Sequence, residues 1–381
     1  MTGGAARWGF HNDVDIRFGA GRLAELPALA ADRPALIVTT AGFTRRGLTA
    51  RLAEWLPEAA VFDAVQPNPD LAALERAGAQ LRDAPIELIV ALGGGSAIDT
   101  GKALSVLLAI GRPDRLRAHL LSGAALPPAR PLPLIAIPTT AGTGSEVTPF
   151  ATVWDHASAK KYSLARPDLR PTVALLDPEL TLGLPPEVTI ASGLDALSQG
   201  LEAIWNRNAT PITSLFATEA IGLARSALPA LTLKPGSLEL RSQMLQASLL
   251  AGLAISQTRT ALAHAISYPL TARYGLPHGL ACSFTLPALL AFNAEADDGR
   301  LAELAARLGA ESPAALGRDI GALLRRLGAR ELLARYLPAD PAEVAALAPE
   351  MLTPGRADNT MRAASVEQVA EVVREALRDA W

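Results

Sequence analysis

The chain has 381 residues, half of them hydrophobic, with a formal net charge of −3 and a pI near 6.0. That is enough chain for about two domains and enough apolar material for a sizeable core, which excludes a disordered polymer. The near-neutral balance excludes a strong basic field for nucleic acid or an anionic membrane surface.

The single cysteine, Cys282, rules out an intrachain disulfide framework and fits a reducing compartment. Residues 1–18 carry Arg7, Asp13, Asp15 and Arg17 and lack the apolar centre of a signal peptide. The longest apolar candidate, 103–110, is far shorter than the roughly 18–20 residues of a membrane span. The expectation is a cytoplasmic protein with neither nucleic acid nor membrane as a partner.

In chain order, residues 35–39 (Ala-Leu-Ile-Val-Thr) predict a strand and 48–56 a helix. Residues 87–92 form a near-continuous apolar strand, the pattern of a parallel sheet buried on both faces. It runs into Gly93-Gly94-Gly95, and a helix over 97–110 follows. Further strands are expected at 134–137, stopped by Pro138, and at 173–176, closed by Asp177-Pro178. This alternation argues for an open α/β sheet. Beyond Pro185 the chain reads as helical almost to Trp381, with long helices over 243–266 and 364–377. The expected division is therefore an α/β nucleotide-binding unit over 1–184 and an all-helical metal-binding unit over 185–381.

Four groups of residues could carry chemistry. Gly93-Gly-Gly-Ser96-Ala-Ile-Asp99 joins a strand to a helix, where glycines admit a ligand to the backbone and helix N–H groups attract phosphate. Ser96 and Asp99 also stand at cap and N3 spacing, so a capped tight turn is an equal reading. Pro138-Thr139-Thr140-Ala-Gly-Thr143-Gly-Ser-Glu146 offers hydroxyls and bare backbone at the next strand end, suited to phosphate and ribose or simply a polar connection. Asp195 and Gln199 share a helix face with Ser198 and Glu202, off the apolar stripe of Leu194, Leu197, Leu201 and Ile204; alone they suggest a solvated face. His264 lies in a small-apolar stretch and His278 in a turn. With an upstream aspartate they could form a divalent-metal site, or be two hydrogen-bonded core histidines.

Taken together, these motifs look familiar. Gly93–Asp99, Ile137–Val147, Leu176-Asp-Pro-Glu-Leu180, Gly193-Leu-Asp-Ala-Leu197 and Gly275-Leu-Pro-His-Gly279 resemble, in order and spacing, the iron-containing (group III) alcohol dehydrogenases. Those enzymes have the dehydroquinate-synthase-like fold. The resemblance spans roughly residues 14–377. It implies NAD(P)H and a divalent metal, Fe²⁺ or Zn²⁺, acting on a small aldehyde or alcohol, in a homodimer. Gly94, Gly95, Ser96 and Asp99 would hold the pyrophosphate and ribose. Thr139, Thr140 and Thr143 would contact the nucleotide, with Asn68, Lys161 and Leu180 nearby. Asp195, His264 and His278 match three of four metal ligands.

Three positions depart from the family's pattern. The fourth ligand, usually a histidine, is Gln199, a neutral and weaker donor. A histidine expected four residues after His264 is Tyr268, a candidate proton donor, with Pro269 expected to end the helix there. The aspartate that usually binds the adenosine 2′-hydroxyl matches Thr40, followed by Arg45 and Arg46, which leaves NADH and NADPH both open.

The implied chemistry is direct hydride transfer between nicotinamide and a carbonyl carbon, with the metal polarising the oxygen. Residues 264–286 look closest to the phosphonoacetaldehyde reductases of phosphonate biosynthesis, which make 2-hydroxyethylphosphonate. Arg259 is the main candidate for the phosphonate, provided the helix is irregular there; Arg207 and Arg362 are weaker ones. The alternatives are a reductase of another short aldehyde, a lyase using NAD transiently, and a non-catalytic nucleotide-binding protein with a degenerate metal site. The lyase would need a lysine-rich phosphate site, and lysines are few after Lys161.

Overall fold

The computed structural model describes residues 7–158 and 160–378. The first six residues of the N-terminal segment and the last three of the expected helical tail lie outside the described residues. Eight strands are present: β1 (Asp15–Phe18), β2 (Ala35–Val38), β3 (Ala60–Phe62), β4 (Leu88–Gly93), β5 (Leu134–Pro138), β6 (Phe150–Asp155), β7 (Lys160–Ala165) and β8 (Val173–Leu176). Six of them form one sheet in the order β1-β8-β5-β4-β2-β3, and every pairing in it is parallel.

The apolar runs explain that choice. β2, β4 and β5 are buried along their whole length. Leu36, Ile89 and Ala136 face one core cluster, and Ile37, Val90 and Ile135 face the other. Each fully buried Leu, Ile or Val contributes roughly 1.5–3 kcal/mol, and a sheet covered on both faces must be apolar at every position.

The strand order reverses between β2 and β4. In open α/β sheets the crevice for a ligand lies beyond the carboxyl ends of the strands at such a reversal. Here it is walled by the loop after β4, the loop after β5 and the antiparallel hairpin β6–β7, which the sequence pattern did not indicate.

From Pro186 onward the described residues contain no strand. The helices that matter for the site are α1 (Gly95–Ile110), α2 (Pro186–Ile204), α3 (Pro211–Leu233), α4 (Leu238–Thr258), α5 (Leu262–Tyr274) and α6 (His278–Ser283). α2, α3 and α4 pack through small residues. A Cβ at Gly193 would meet Leu228, and one at Gly200 would meet Ile221. The loop after β5 docks on α4 backbone to backbone, since a Cβ at Gly252 would sit 2.7 Å from Gly144 Cα.

The structure corrects two expectations. The single helix over 243–266 is two helices, broken at Arg259–Ala261. Pro269 lies inside α5 and does not end it; α5 terminates at Gly275 in the left-handed conformation that glycine adopts without strain.

Candidate active site

The N-terminus of α1 opens the crevice. Gly94 is its N-cap and no side chain caps it, so neither Ser96 nor Asp99 satisfies the first N–H groups, contrary to the capped-turn reading. Such a helix end is a ready seat for phosphate. Ser96 Oγ instead accepts from the Asn68 N–H at 3.2 Å. Asp99 braces the second loop, accepting from Ser145 Oγ at 2.5 Å and from the Thr152 N–H at 2.7 Å.

The two loops touch. A Cβ at Gly95 would lie 2.6 Å from Thr143 Cγ2, and one at Gly94 would lie 3.1 Å from Thr140 Oγ1. Thr139 is buried, its N–H donating to the Gly93 carbonyl. Thr40 stands at the N-cap position of the short helix Ala41–Arg45 beyond β2, with no side-chain capping bond, and Leu180 packs in the core cluster of Ile37, Val90 and Ile135.

The crevice, of about 400 Å³, is lined by Asn68, Gly95, Ser96, Asp99, Thr143, Lys161, Asp195, Gln199, Arg259, His264, Tyr268 and His278, and three helices converge at its inner end. Asp195 and Gln199 come from α2, His264 from α5 and His278 from α6. The polar face of α2 is thus buried, not solvated; Asp195 and Gln199 are each only 3% exposed.

His264 Nε2 is 3.3 Å from Asp195 Oδ1, and its Nδ1 is 2.6 Å from Glu202 Oε2. Glu202 Oε1 also accepts from the His264 backbone N–H. A carboxylate behind a ring nitrogen fixes which nitrogen faces the ligand. Burial opposes charge on His264, yet Cys282, Glu202 and Asp195 together hold its pKa well above the usual value. Burial likewise works against the Asp195 charge, but His264 and His278 keep its pKa low. The cluster is a sink for positive charge.

Asp195 Oδ1 and Gln199 Oε1 are buried with no hydrogen-bond partner. Buried oxygens are rarely left so, and a cation among Asp195, His264 and His278 would satisfy them. The residues therefore fit a divalent metal. Gln199 Nε2 donates to the Thr143 carbonyl at 3.3 Å, tying this cluster to the cofactor loop. Cys282, read from sequence as a core residue, is buried but lies within the same cluster. Burial raises its thiol pKa, and His264 and His278 outweigh that, bringing it to about 7.

Models of two families match the chain: iron-containing alcohol dehydrogenase over residues 14–178, and the C-terminal part of the Fe-containing alcohol dehydrogenase family over 189–377. The chain belongs to the iron-containing alcohol dehydrogenases. It is 41% identical over 276 residues, 70% of this chain and 68% of the relative, to a phosphonoacetaldehyde reductase of Streptomyces viridochromogenes. It is 33% identical to the NAD-dependent methanol dehydrogenase of Bacillus methanolicus, over 91% of this chain and 92% of that one. In fold it resembles the sulfoacetaldehyde reductase of Bifidobacterium kashiwanohense in complex with NAD⁺. The TM-score is 0.89 at 32% identity, over 98% of this chain and 100% of that one.

This iron-containing alcohol dehydrogenase is thus an NAD(P)-dependent enzyme with the α/β-plus-helical fold expected from its sequence. No helix among the described residues is long and apolar enough to cross a membrane.

The break between α4 and α5 places Arg259 on the crevice. Its φ of 63° and ψ of 177° fall in a region that only glycine occupies freely, at a cost of roughly 1–3 kcal/mol. Arg259→Gly is expected to raise the denaturant midpoint by about 1 kcal/mol of stability, after the extra freedom of an unfolded glycine is subtracted. An unchanged or lower midpoint would show that the strain is not there. Arg356, which the sequence reading missed, lines the same crevice; a lone arginine after Pro354-Gly355 carries no periodic signal. Arg207 and Arg362 do not line it: they pair with Asp358 and Glu295.

Proposed function

We propose that the enzyme reduces phosphonoacetaldehyde to 2-hydroxyethylphosphonate, a step of phosphonate biosynthesis. The observation that carries this reading is the pair Arg259 and Arg356 beside Asp195, His264 and His278. Neither guanidinium makes an ion pair among the described residues. Burial lowers the Arg259 pKa, and the charge of Arg356 lowers it further. Two like charges held together are relieved by an anion between them, and a dianionic phosphonate relieves them more than a monoanion. The relatives named phosphonoacetaldehyde reductase and sulfoacetaldehyde reductase support an anionic short aldehyde.

In this reading the nicotinamide supplies the hydride and the divalent metal supplies charge stabilisation at the carbonyl oxygen. Asp195, His264 and His278 hold the metal, with Gln199 alongside. Gly94, Gly95, Ser96 and Asp99 seat the pyrophosphate and ribose, while Thr139, Thr140 and Thr143 form the adjoining wall; Thr40, Asn68, Lys161 and Leu180 flank the cofactor. Tyr268 Oη hands over the proton. Burial raises the Tyr268 pKa, but Lys161, Arg356 and His264 more than reverse that, and Lys161 Nζ lies 3.9 Å from the centre of its ring. The proposal includes a cytoplasmic location, from the single cysteine and the polar N-terminal segment, and a homodimer, as the family resemblance implies; sedimentation of the pure protein reads the oligomer.

Kinetics on phosphonoacetaldehyde, sulfoacetaldehyde and acetaldehyde test the substrate. A charged hydrogen bond is worth about 1.5–3 kcal/mol, so Arg259→Ala is expected to cost about 10- to 100-fold in kcat/KM on phosphonoacetaldehyde. Acetaldehyde turnover should hardly change. Equal efficiency on all three aldehydes, unmoved by the substitution, would replace the phosphonate with a neutral short aldehyde.

A further inference from the structure

We infer that Cys282 is a strong further ligand of the metal site, beside the weak carboxamide of Gln199. The inference rests on the reading of Asp195, His264 and His278 as metal ligands. Cys282 stands four residues after His278 on α6, so both side chains leave the same helix face. Its Sγ is 3.7 Å from each ring nitrogen of His278. Ligand atoms of Asp195, His264, His278 and Cys282 all lie within 4.8 Å of one another.

The spacing of one imidazole and the carboxylate matches a tetrahedral centre: bonds of ~2.0–2.1 Å to nitrogen or oxygen put N···O at roughly 3.4 Å, and His264 Nε2 is 3.3 Å from Asp195 Oδ1. Cys282 Sγ is equally far from both ring nitrogens of His278, so that ring must turn on its Cβ–Cγ bond to share an ion with the sulfur. Asp195 Oδ1 and Gln199 Oε1 are both buried without a hydrogen bond, and Asp195 Oδ1 faces His264 in this same group. The Gln199 amide nitrogen is bound to the Thr143 carbonyl, which leaves its buried oxygen as a neutral, weaker donor beside the same group.

A metal-bound thiol is deprotonated, its proton passing to solvent as the ion enters. A thiolate beside one carboxylate and two imidazoles is a softer donor set than oxygen and nitrogen alone, and softer sets select Zn²⁺ over Fe²⁺. The chain is therefore inferred to retain zinc in preference to ferrous ion.

Cobalt substitution of the whole protein tests this without reference to turnover. The chelator-stripped protein reloaded with Co²⁺ should show an intense near-ultraviolet thiolate-to-cobalt band together with weak visible bands. Cys282→Ser should lose the former and keep the latter, and its Zn²⁺ affinity should fall by more than the roughly 10–100-fold that a supporting group is worth. Gln199→Ala should keep the thiolate band. In the wild type, Zn²⁺ should protect Cys282 from alkylation. Cobalt bound with no thiolate band, or alkylation equally fast with and without zinc, overturns the inference and leaves the three-residue site standing. Loss of all cobalt binding on His278→Ala supports that underlying site, and binding unchanged by it removes the site and the inference together.

Discussion

Replacing His278 by alanine is expected to strip the metal from the purified protein and to cut turnover by about 10³-fold or more. The magnitude follows from charge stabilisation of several kcal/mol by a Lewis acid, at about 1.4 kcal/mol per tenfold in rate. His278 is the imidazole that α6 brings to the cluster, and its ring lies edge-on to His264 with centroids 5.2 Å apart. Removing it leaves Asp195 and His264 in a buried pair with one donor fewer on the open side. The measurement is metal content by elemental analysis alongside NAD(P)H oxidation. Full turnover in metal-free, chelator-containing buffer would remove the metal from the chemistry.

A single methyl group at position 279 should be almost as damaging. A Cβ on Gly279 would lie 1.7 Å from the Ala191 carbonyl oxygen and 3.1 Å from Asp195 Cβ. The obstruction is backbone of α2, which cannot rotate aside as a flexible side chain would. Gly279→Ala must therefore lift α6 off α2, and His278, its neighbour, must move away from Asp195. Overpacking of a well-filled core costs typically 1–3 kcal/mol and occasionally more; here the clash is with main chain, so about 3 kcal/mol or more is expected. The denaturant midpoint of the metal-free protein reads the stability loss, and zinc titration reads the site. A variant with wild-type midpoint and wild-type affinity would mean that α6 does not lie against α2.

The outcomes at these two neighbouring positions separate chemistry from packing. His278→Ala removes a partly exposed imidazole from the cluster and should leave the metal-free fold largely intact. Gly279→Ala keeps every side chain of the cluster and displaces one of them.

The central strands were legible because burial on both faces leaves a plain mark. Residues 87–92 read as a strand and β4 runs Leu88–Gly93; β2, β5 and β8 were found the same way. The edge strands β1 and β3 and the hairpin β6–β7 were not, for they are short or partly polar, with Lys160, Lys161 and Ser163 in β7. The helix break at Arg259 was invisible because the residue there is not the glycine its backbone angles call for. Pro269 misled in the opposite direction, since a proline is tolerated inside α5.

The site was legible to different depths. The glycine and threonine loops and the pair of histidines stood out through recurring motifs. Glu202 was seen only as a neighbour on the Asp195 face, although it lies against His264 from behind. Cys282 gave no signal beyond its nearness to His278. Its meaning depends on α6 bringing four side chains within one ion's reach, a property of the fold and not of spacing. Arg356 comes from a loop nearly a hundred residues beyond its companion Arg259, and no local pattern joins them.

One contact made in passing sets how this enzyme can diverge. Where the loop after β5 meets α4, Gly144 and Gly252 abut with no side chain between them. Main chain pressed on main chain has nothing to trim or lengthen, so that bank of the crevice has a fixed width. Lys161, Arg259 and Arg356 line the crevice from a hairpin, a helix end and a loop. In the proposed reading, new aldehydes can be accommodated by editing Arg259 and Arg356 while the seat of the electron donor stays where it is.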